Sequence, residues 1–245
     1  MIGRPLLRLE SVGSTMDIAR TLLALGATPG TAVLAGYQTA GRGRVNRTWE
    51  TPPGSAILCS FITASQRPPA QLGVLSLLWG WAVAETVEAV AGRLAAIKWP
   101  NDVLVDGRKI AGILTTGTSG PAGARQITGI GMNVRATEAD LPETATSLAM
   151  LGGPVPAFDD VLMHLFSCLD NALMLAEDLD VDHLATKVFP RLAFRGEPVV
   201  IQDGDRIISG TLDGLDPDGA LRLSVSDGAT VRIVAGDLTR GPRRG

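Results

Sequence analysis

Apolar and polar positions change period several times along this chain, and the changes mark its elements. Leu6-Leu7-Arg8-Leu9-Glu10 reads as a short strand. Ser14-Thr15-Met16-Asp17 has the form of a capping box, opening a helix through about Leu25 that closes at Gly26. Residues 31–36 and the long apolar run 55–63 predict strands, and residues 70–91 predict a helix. The most apolar segment, Leu72 to Val90, is interrupted by Gly80 and carries Glu85 and Glu88, so it reads as a buried amphipathic helix rather than a membrane span. A strand over 96–99 stops at Pro100. Residues 102–105 and 109–115 form a hairpin about Asp106-Gly107, a strong turn signal. A strand over 126–134 follows, then helices over 157–178 and 180–193. From Pro198 the pattern becomes short alternating strands, 199–202, 206–212, 221–225 and 230–234, broken by Asp-Gly and Pro-Asp-Gly turns, as in a small β-barrel. The expected organisation is therefore an α+β domain over 1–194, with helices on a mixed or antiparallel sheet, and a small barrel over 195–245, divided near Arg195-Gly196.

Composition narrows the function classes. With 45% hydrophobic and 19% charged residues, a sizeable core is available. A formal net charge of -3 argues against a general nucleic-acid binder. Cys59 and Cys168 are too few for a disulfide framework, and neither stands in a metal-ligand spacing. Cys59, in an apolar run, is most simply a small buried hydrophobe. The N-terminus has no signal-peptide apolar core, and a cytoplasmic protein is expected. Lysine occurs only at Lys98, Lys109 and Lys187, whereas arginine is frequent. Where arginine is the habitual cation, a lysine is the more expected where a compact ammonium is needed.

Against the acidic average, residues 38–49 hold three arginines and two glycines with no acid. Glycines let a backbone approach a ligand, and guanidinium forks match phosphates and carboxylates, so the loop expects an anion. A solvated basic loop or an arginine-rich nucleic-acid contact fits it too. Like charges on a glycine loop should repel when empty, so residues 41–48 are expected to be mobile without ligand and to close as a lid. Lys98-Trp99-Pro100-Asn101-Asp102 places a cation, an indole, an amide and a carboxylate at a strand end, more than turn chemistry needs. Lys109 heads the apolar run Ile110-Ala111-Gly112-Ile113-Leu114, and on local sequence alone reads as a surface lysine where a strand begins. Gly129-Ile130-Gly131-Met132-Asn133 lacks the context of a dinucleotide fingerprint; its glycines let a ligand or another strand come close, leaving Asn133 to read a polar edge. His164 and His183 are isolated, and no metal ligands are assigned.

Together these motifs resemble bacterial biotin protein ligases: Ser14-Thr15, Gly41-Arg42-Gly43-Arg44 with Arg47 and Trp49, the Lys98–Asp102 segment, Lys109 with its apolar run, and Gly129-x-Gly131-x-Asn133, in that order. Leu141-Pro142-Glu143 and Thr146-Ser147-Leu148 are also similar to that family. The resemblance covers about residues 5–240. It implies a class II aminoacyl-tRNA-synthetase-like biotin/lipoate ligase fold with a C-terminal SH3-like β-barrel. It also implies a reaction: biotin and MgATP give biotinyl-5′-AMP, and biotin then passes to one lysine of a biotin carboxyl carrier domain.

By resemblance, Ser14, Thr15 and Gln38 bind the ureido ring, and Gly41, Arg42 and Arg44 lie over biotin and the phosphates. Trp49 walls the biotin pocket, which Gly112 also lines. Arg47, Lys98 and Asn101 join the ATP site, and Asn133 reads adenine. Lys109 contacts the biotin carboxyl and the α-phosphate. Lys109, Arg44 and Asp102 are the expected catalytic residues, with Asp102 orienting or deprotonating the incoming lysine. Homodimers occur in the family, often through sheet edges; no membrane and no DNA partner are expected. Larger members carry an N-terminal winged helix and act as repressors, whereas this chain starts its first strand within about ten residues of Met1, so a ligase alone is expected. Three positions depart from the family pattern: Asn46 stands where glycine is usual, Met16 where many members have asparagine, and Thr116 where an acid is frequent. The competing readings are a lipoate or octanoyl ligase, whose Arg-Ser-Gly-Gly-Gly type of loop is absent here, and a non-catalytic nucleic-acid-binding protein.

Overall fold

The computed structural model describes residues 1–65, 73–120, 123–178 and 180–242. Seven strands form one mixed sheet: β1 (Leu6–Val12), β2 (Ala32–Gln38), β3 (Ala56–Ser65), β4 (Ala96–Lys98), β5 (Asp102–Val105), β6 (Arg108–Gly120) and β7 (Gly123–Asn133). Their order is β1-β2-β3-β7-β6-β5-β4. Only β1 and β2 run parallel, the other neighbours being antiparallel.

Alternation along the strands gives the two faces different tasks. Leu34, Ile57, Cys59, Phe61, Ile130 and Met132 belong to the main core, with α2 (Gly73–Ala91) and α3 (Phe158–Asp178). Val33, Ile62 and Ile127, one step out of phase, pack against Met16 and Ala19 of α1 (Thr15–Ala24) on the other face. Two departures from the sequence pattern concern these helices. The helix expected from residue 70 is seen from Gly73, and residues 70–72 lie outside the described ones. It is not amphipathic: Val74, Leu75, Leu77, Leu78, Trp79, Ala82, Val83, Ala84 and Val87 are all buried, because α2 is enclosed between strands and α3. It is the one described helix long and apolar enough to cross a membrane, and it is mostly buried inside the protein. In α1, Ser14 occupies the N-cap without a side-chain cap bond, so the expected capping box does not form. Gln38 from β2 substitutes, its Oε1 accepting from the Thr15 backbone N–H at 2.7 Å.

After α4 (Val181–Val188) the chain forms a five-stranded antiparallel sheet: β8 (Pro198–Asp203), β9 (Arg206–Leu215), β10 (Leu221–Ser224), β11 (Thr230–Ile233) and β12 (Asp237–Arg240). The order is β11-β10-β9-β8-β12, so the last strand returns to the first. β12 was not predicted from the sequence; it has a single buried apolar residue, Leu238. The Asp216–Gly219 turn between β9 and β10 docks on the first sheet's domain. There Trp99 Nε1 donates to the Gly219 carbonyl at 2.9 Å, and the Gly219 backbone (φ +91) lies against Val74.

Trp99→Phe removes that donor and leaves a buried carbonyl without its partner. The expected loss is about 1–3 kcal/mol of stability, measured as a lower urea midpoint with an unchanged far-ultraviolet circular dichroism spectrum at zero denaturant. An unchanged midpoint would show that this bond does not hold the two sheets together.

Candidate active site

On the face that carries α1, three neighbouring positions of β6 and β7 carry no side chain. Gly129 and Gly131 of β7 pair with Ser60 and Leu58, and Gly112 of β6 pairs with Gly131. A cavity of about 220 Å³ opens over this floor. The ten residues after β2 fold across it as a narrow hairpin. Arg42 and Thr48 form an antiparallel bridge, and Trp49 N–H donates to the Gly41 carbonyl at 3.1 Å. The tip is Val45-Asn46, with φ of +50 and +57. Asn46, standing where the family usually has glycine, thus keeps the left-handed turn, as an asparagine can; Val45 is the less expected residue there.

The glycine floor is filled by the protein's own indole. The Trp49 ring lies directly on Gly131, and a Cβ there would fall within it; Gly112 is also against the ring. What the glycines admit is therefore an aromatic side chain rather than another strand. Met16 fills the space above Gly129 in the same way and is itself buried. Lys109 Nζ stands 5.3 Å from the Trp49 ring centroid and 2.7 Å from Asp102 Oδ1. The short hairpin of β5 and β6 brings these two charges together.

Each arginine of the loop meets a carboxylate from elsewhere in the chain, which offsets the self-repulsion expected of the loop when empty. Arg42 Nη2 lies 2.7 Å from Asp17 Oδ2 on α1. Arg47 pairs with Asp237 on β12, and Arg44 Nη1 lies 4.0 Å from the same residue and 3.3 Å from Asn101 Oδ1. Lys98 lines the cavity and has no acid within ion-pair distance among the described residues.

The structure thus brings Ser14, Thr15, Gln38, Arg42, Arg44, Arg47, Trp49, Lys98, Asn101, Asp102, Lys109 and Gly112 around one cavity. Two expected site residues lie off its lining. Gly41 is at the base of the loop, packed against the Trp49 carbonyl. Asn133 is buried at the end of β7, its Nδ2 donating to the Thr146 carbonyl at 3.0 Å and its Oδ1 without a partner among the described residues. Conversely Asp237, Leu238 and Thr239 border the cavity from the second sheet. The sequence reading did not find them; a single apolar residue in a charged four-residue stretch gives little signal. Thr116, the third departure, is exposed. Cys59 abuts the cavity, yet burial pushes its thiol up to about 12, which makes it an inert core residue. Among the described residues no group of three His, Cys, Asp or Glu is placed to hold a metal ion.

Comparison with known proteins supplies a setting for this geometry. A profile of the biotin/lipoate A/B protein ligase family matches residues 9–133, and one of the biotin protein ligase C terminal domain matches residues 194–238. A bifunctional ligase/repressor BirA of Bacillus spizizenii is 32% identical over 254 residues, covering 98% of this chain and 75% of the relative. A biotin--[acetyl-CoA-carboxylase] ligase of Mycobacterium tuberculosis is 32% identical over 240 residues, covering 94% and 88%. The structure of a biotin protein ligase from Aquifex aeolicus in complex with biotin and ATP superposes with a TM-score of 0.82 at 28% identity, covering 96% of this chain and 99% of that one.

Two outcomes follow from the loop and its seat. Gly131→Ala places a methyl group inside the Trp49 ring position, so the indole must leave. Acrylamide quenching, taken as the difference from a Trp49→Phe background, should increase; Gly13→Ala, where a Cβ meets nothing within 4 Å, should not change it. Asp237→Asn removes the countercharge of Arg47 and should raise hydrogen exchange across residues 41–48. Protection equal to wild type would mean that the backbone bridge alone holds the loop.

Proposed function

The chain belongs to the biotin/lipoate A/B protein ligase family, and from that premise we propose that it is an ATP-dependent biotin protein ligase. It activates biotin to biotinyl-5′-AMP and transfers the biotinyl group to a lysine of a biotin carboxyl carrier domain. The observation that carries this reading is the convergence of Arg42, Arg44, Arg47, Lys98 and Lys109 on one concave, indole-walled cavity. Two anions, a carboxylate and a polyphosphate, have to be brought into contact there, and cations are what allow it. A nucleic-acid contact would leave such arginines without acidic partners; here each faces a carboxylate at the cavity rim.

Lys109 is the residue placed to bridge the two anions. A biotin carboxylate oxygen forms a bond to the α-phosphorus, the bond from that phosphorus to the bridging oxygen breaks, and pyrophosphate leaves. Lys109 and Arg44 stabilise the charge as it moves. Asp102 holds Lys109 at 2.7 Å. Once Lys109 turns to the anions, the Asp102 carboxylate is free to take a proton from the incoming lysine amine, which attacks the acyl carbon and expels AMP. Ser14, Thr15 and Gln38 line the cavity with hydroxyls and an amide suited to a ureido ring, and Trp49 offers an indole for the ring system to pack against. Asn133 Oδ1, a buried acceptor without a partner among the described residues, suits the amino group of adenine. Mg²⁺ fits as an ion brought in on the ATP phosphates, since it commonly takes only one or two protein carboxylates. Residues 1–194 form the catalytic domain in this reading and 195–245 an accessory one. A cytoplasmic setting accords with two free cysteines.

Incubation with biotin, MgATP and a carrier domain should add the mass of one biotinyl group to the acceptor; transfer of lipoate in place of biotin would overturn the substrate assignment. Lys109→Ala should lower pyrophosphate release about 10²–10³-fold. Lys187→Ala is the control: its Nζ lies 5.3 Å from the Trp81 ring, remote from the cavity, and the change should leave the rate alone. Near-wild-type release by Lys109→Ala would remove this lysine from the mechanism.

A further inference from the structure

Ser60 lies mid-strand in β3 with no exposed surface, on the face that carries α1. Leu58 and Ile62 flank it on that face of β3, and Met16 packs over its cross-strand partner Gly129. A hydroxyl in such surroundings is costly unless paired. Its partner is Thr15, with 2.7 Å between Ser60 Oγ and Thr15 Oγ1.

Counting protons fixes the direction of each bond in this group. The Thr15 backbone N–H donates to the Gln38 side chain at 2.7 Å, so the atom it meets is the amide oxygen. Thr15 Oγ1 lies 3.0 Å from that same oxygen. An amide oxygen only accepts, so the one Thr15 hydroxyl proton points at Gln38. Ser60 must then be the donor across the 2.7 Å contact. One Thr15 lone pair faces Ser60, and the second is left for the cavity that Thr15 lines.

We propose that Ser60 is a positioning residue: by donating to Thr15 Oγ1 it holds that hydroxyl as an acceptor aimed into the cavity, where it selects an N–H of the ligand. This rests on the biotin reading, in which the N–H belongs to the ureido ring. Ser60 touches no substrate; it acts through Thr15.

The test is ATP-dependent pyrophosphate release by wild type, Ser60→Ala and Ser60→Cys. The substrates are biotin and its two cyclic carbamate analogues, in which a ring oxygen replaces one or the other ureido N–H. Ser60→Ala should raise KM for biotin about 5- to 30-fold, the effect of losing one buried hydrogen bond, with kcat within about two-fold of wild type. Ser60→Cys keeps a weaker donor on a slightly larger side chain, and should fall between. Wild type should reject the carbamate whose oxygen faces Thr15. Ser60→Ala should narrow that preference, because Gln38 still holds the Thr15 proton and only ligands that use the Thr15 acceptor lose by its misplacement. An unchanged biotin KM overturns the proposal, as does an equal rise for biotin and both carbamates, which is what lost packing alone would give. Should Ser60→Ala fail to fold by circular dichroism, the same ratio in Ser60→Cys decides. Absence of biotin-dependent release in wild type would instead sink the biotin assignment itself.

Discussion

Five cations around one concave surface must be kept together in a chain whose net charge is -3, and the site is organised by that constraint. Two unit charges about 4 Å apart interact by roughly 1 kcal/mol in bulk water and about 4 kcal/mol near a protein surface. Left alone, Arg42, Arg44, Arg47 and Lys109 would push the loop off the sheet. Asp17, Asp237 and Asp102 stand at the rim as counterions. These pairs are partly solvated, and exposed pairs typically contribute only about 0.2–1 kcal/mol. Ties this weak hold a loop in place without committing it. Phosphate and carboxylate oxygens of a ligand offer the same cations charge-assisted bonds, so an incoming anion can displace each rim carboxylate at small cost.

The second constraint is steric. A cavity directly above a sheet needs strand positions without side chains, and Gly112, Gly129 and Gly131 provide three that are adjacent across β6 and β7. Such a floor is poorly covered by its own sheet. The structure covers it with Trp49 and Met16, one from the loop and one from α1. Loop position and floor packing are thereby one property. A change that unseats the indole also frees the arginines seven and five positions before it in the chain, Arg42 and Arg44.

The sequence carried the elements whose periodicity was strong, and lost those defined by partners far along the chain. The Asp106-Gly107 turn was legible because both residues take positive φ, as their types allow. The long strands and the helices α2 and α3 followed from apolar period. The role of Ser14 did not: its pattern is that of a cap, while the bond to the helix end comes from Gln38, 23 residues on from Thr15. Burial of α2 on nearly every side was hidden because α3 covers it from some 80 residues later in the chain. The same limit applied at the site. Residue types suited to anions pointed to Arg42, Arg44 and Lys109, but nothing local in Gly236-Asp237-Leu238-Thr239 marks an acid that pairs with Arg47, 190 positions earlier.

That distant pair changes how the second sheet is understood. β12 reaches the cavity only because it pairs with β8 at the far edge of its own sheet, so Asp237 is in place when that sheet is complete. The sheet shares a continuous apolar core with the first domain and meets it at a polar contact as well, where Trp99 holds the Gly219 carbonyl. Trp99 sits between Lys98 and Pro100, inside the motif that also supplies Asn101 and Asp102 to the cavity. One short segment thus anchors the second sheet on one side and presents polar groups to the site on the other. Loosening the dock would move Asp237 away from Arg47 and Arg44 and shift Asn101 at the same time, so the loop would lose its countercharge and its amide contact together. A purely appended barrel would leave the cavity intact when undocked; this one forms part of its wall.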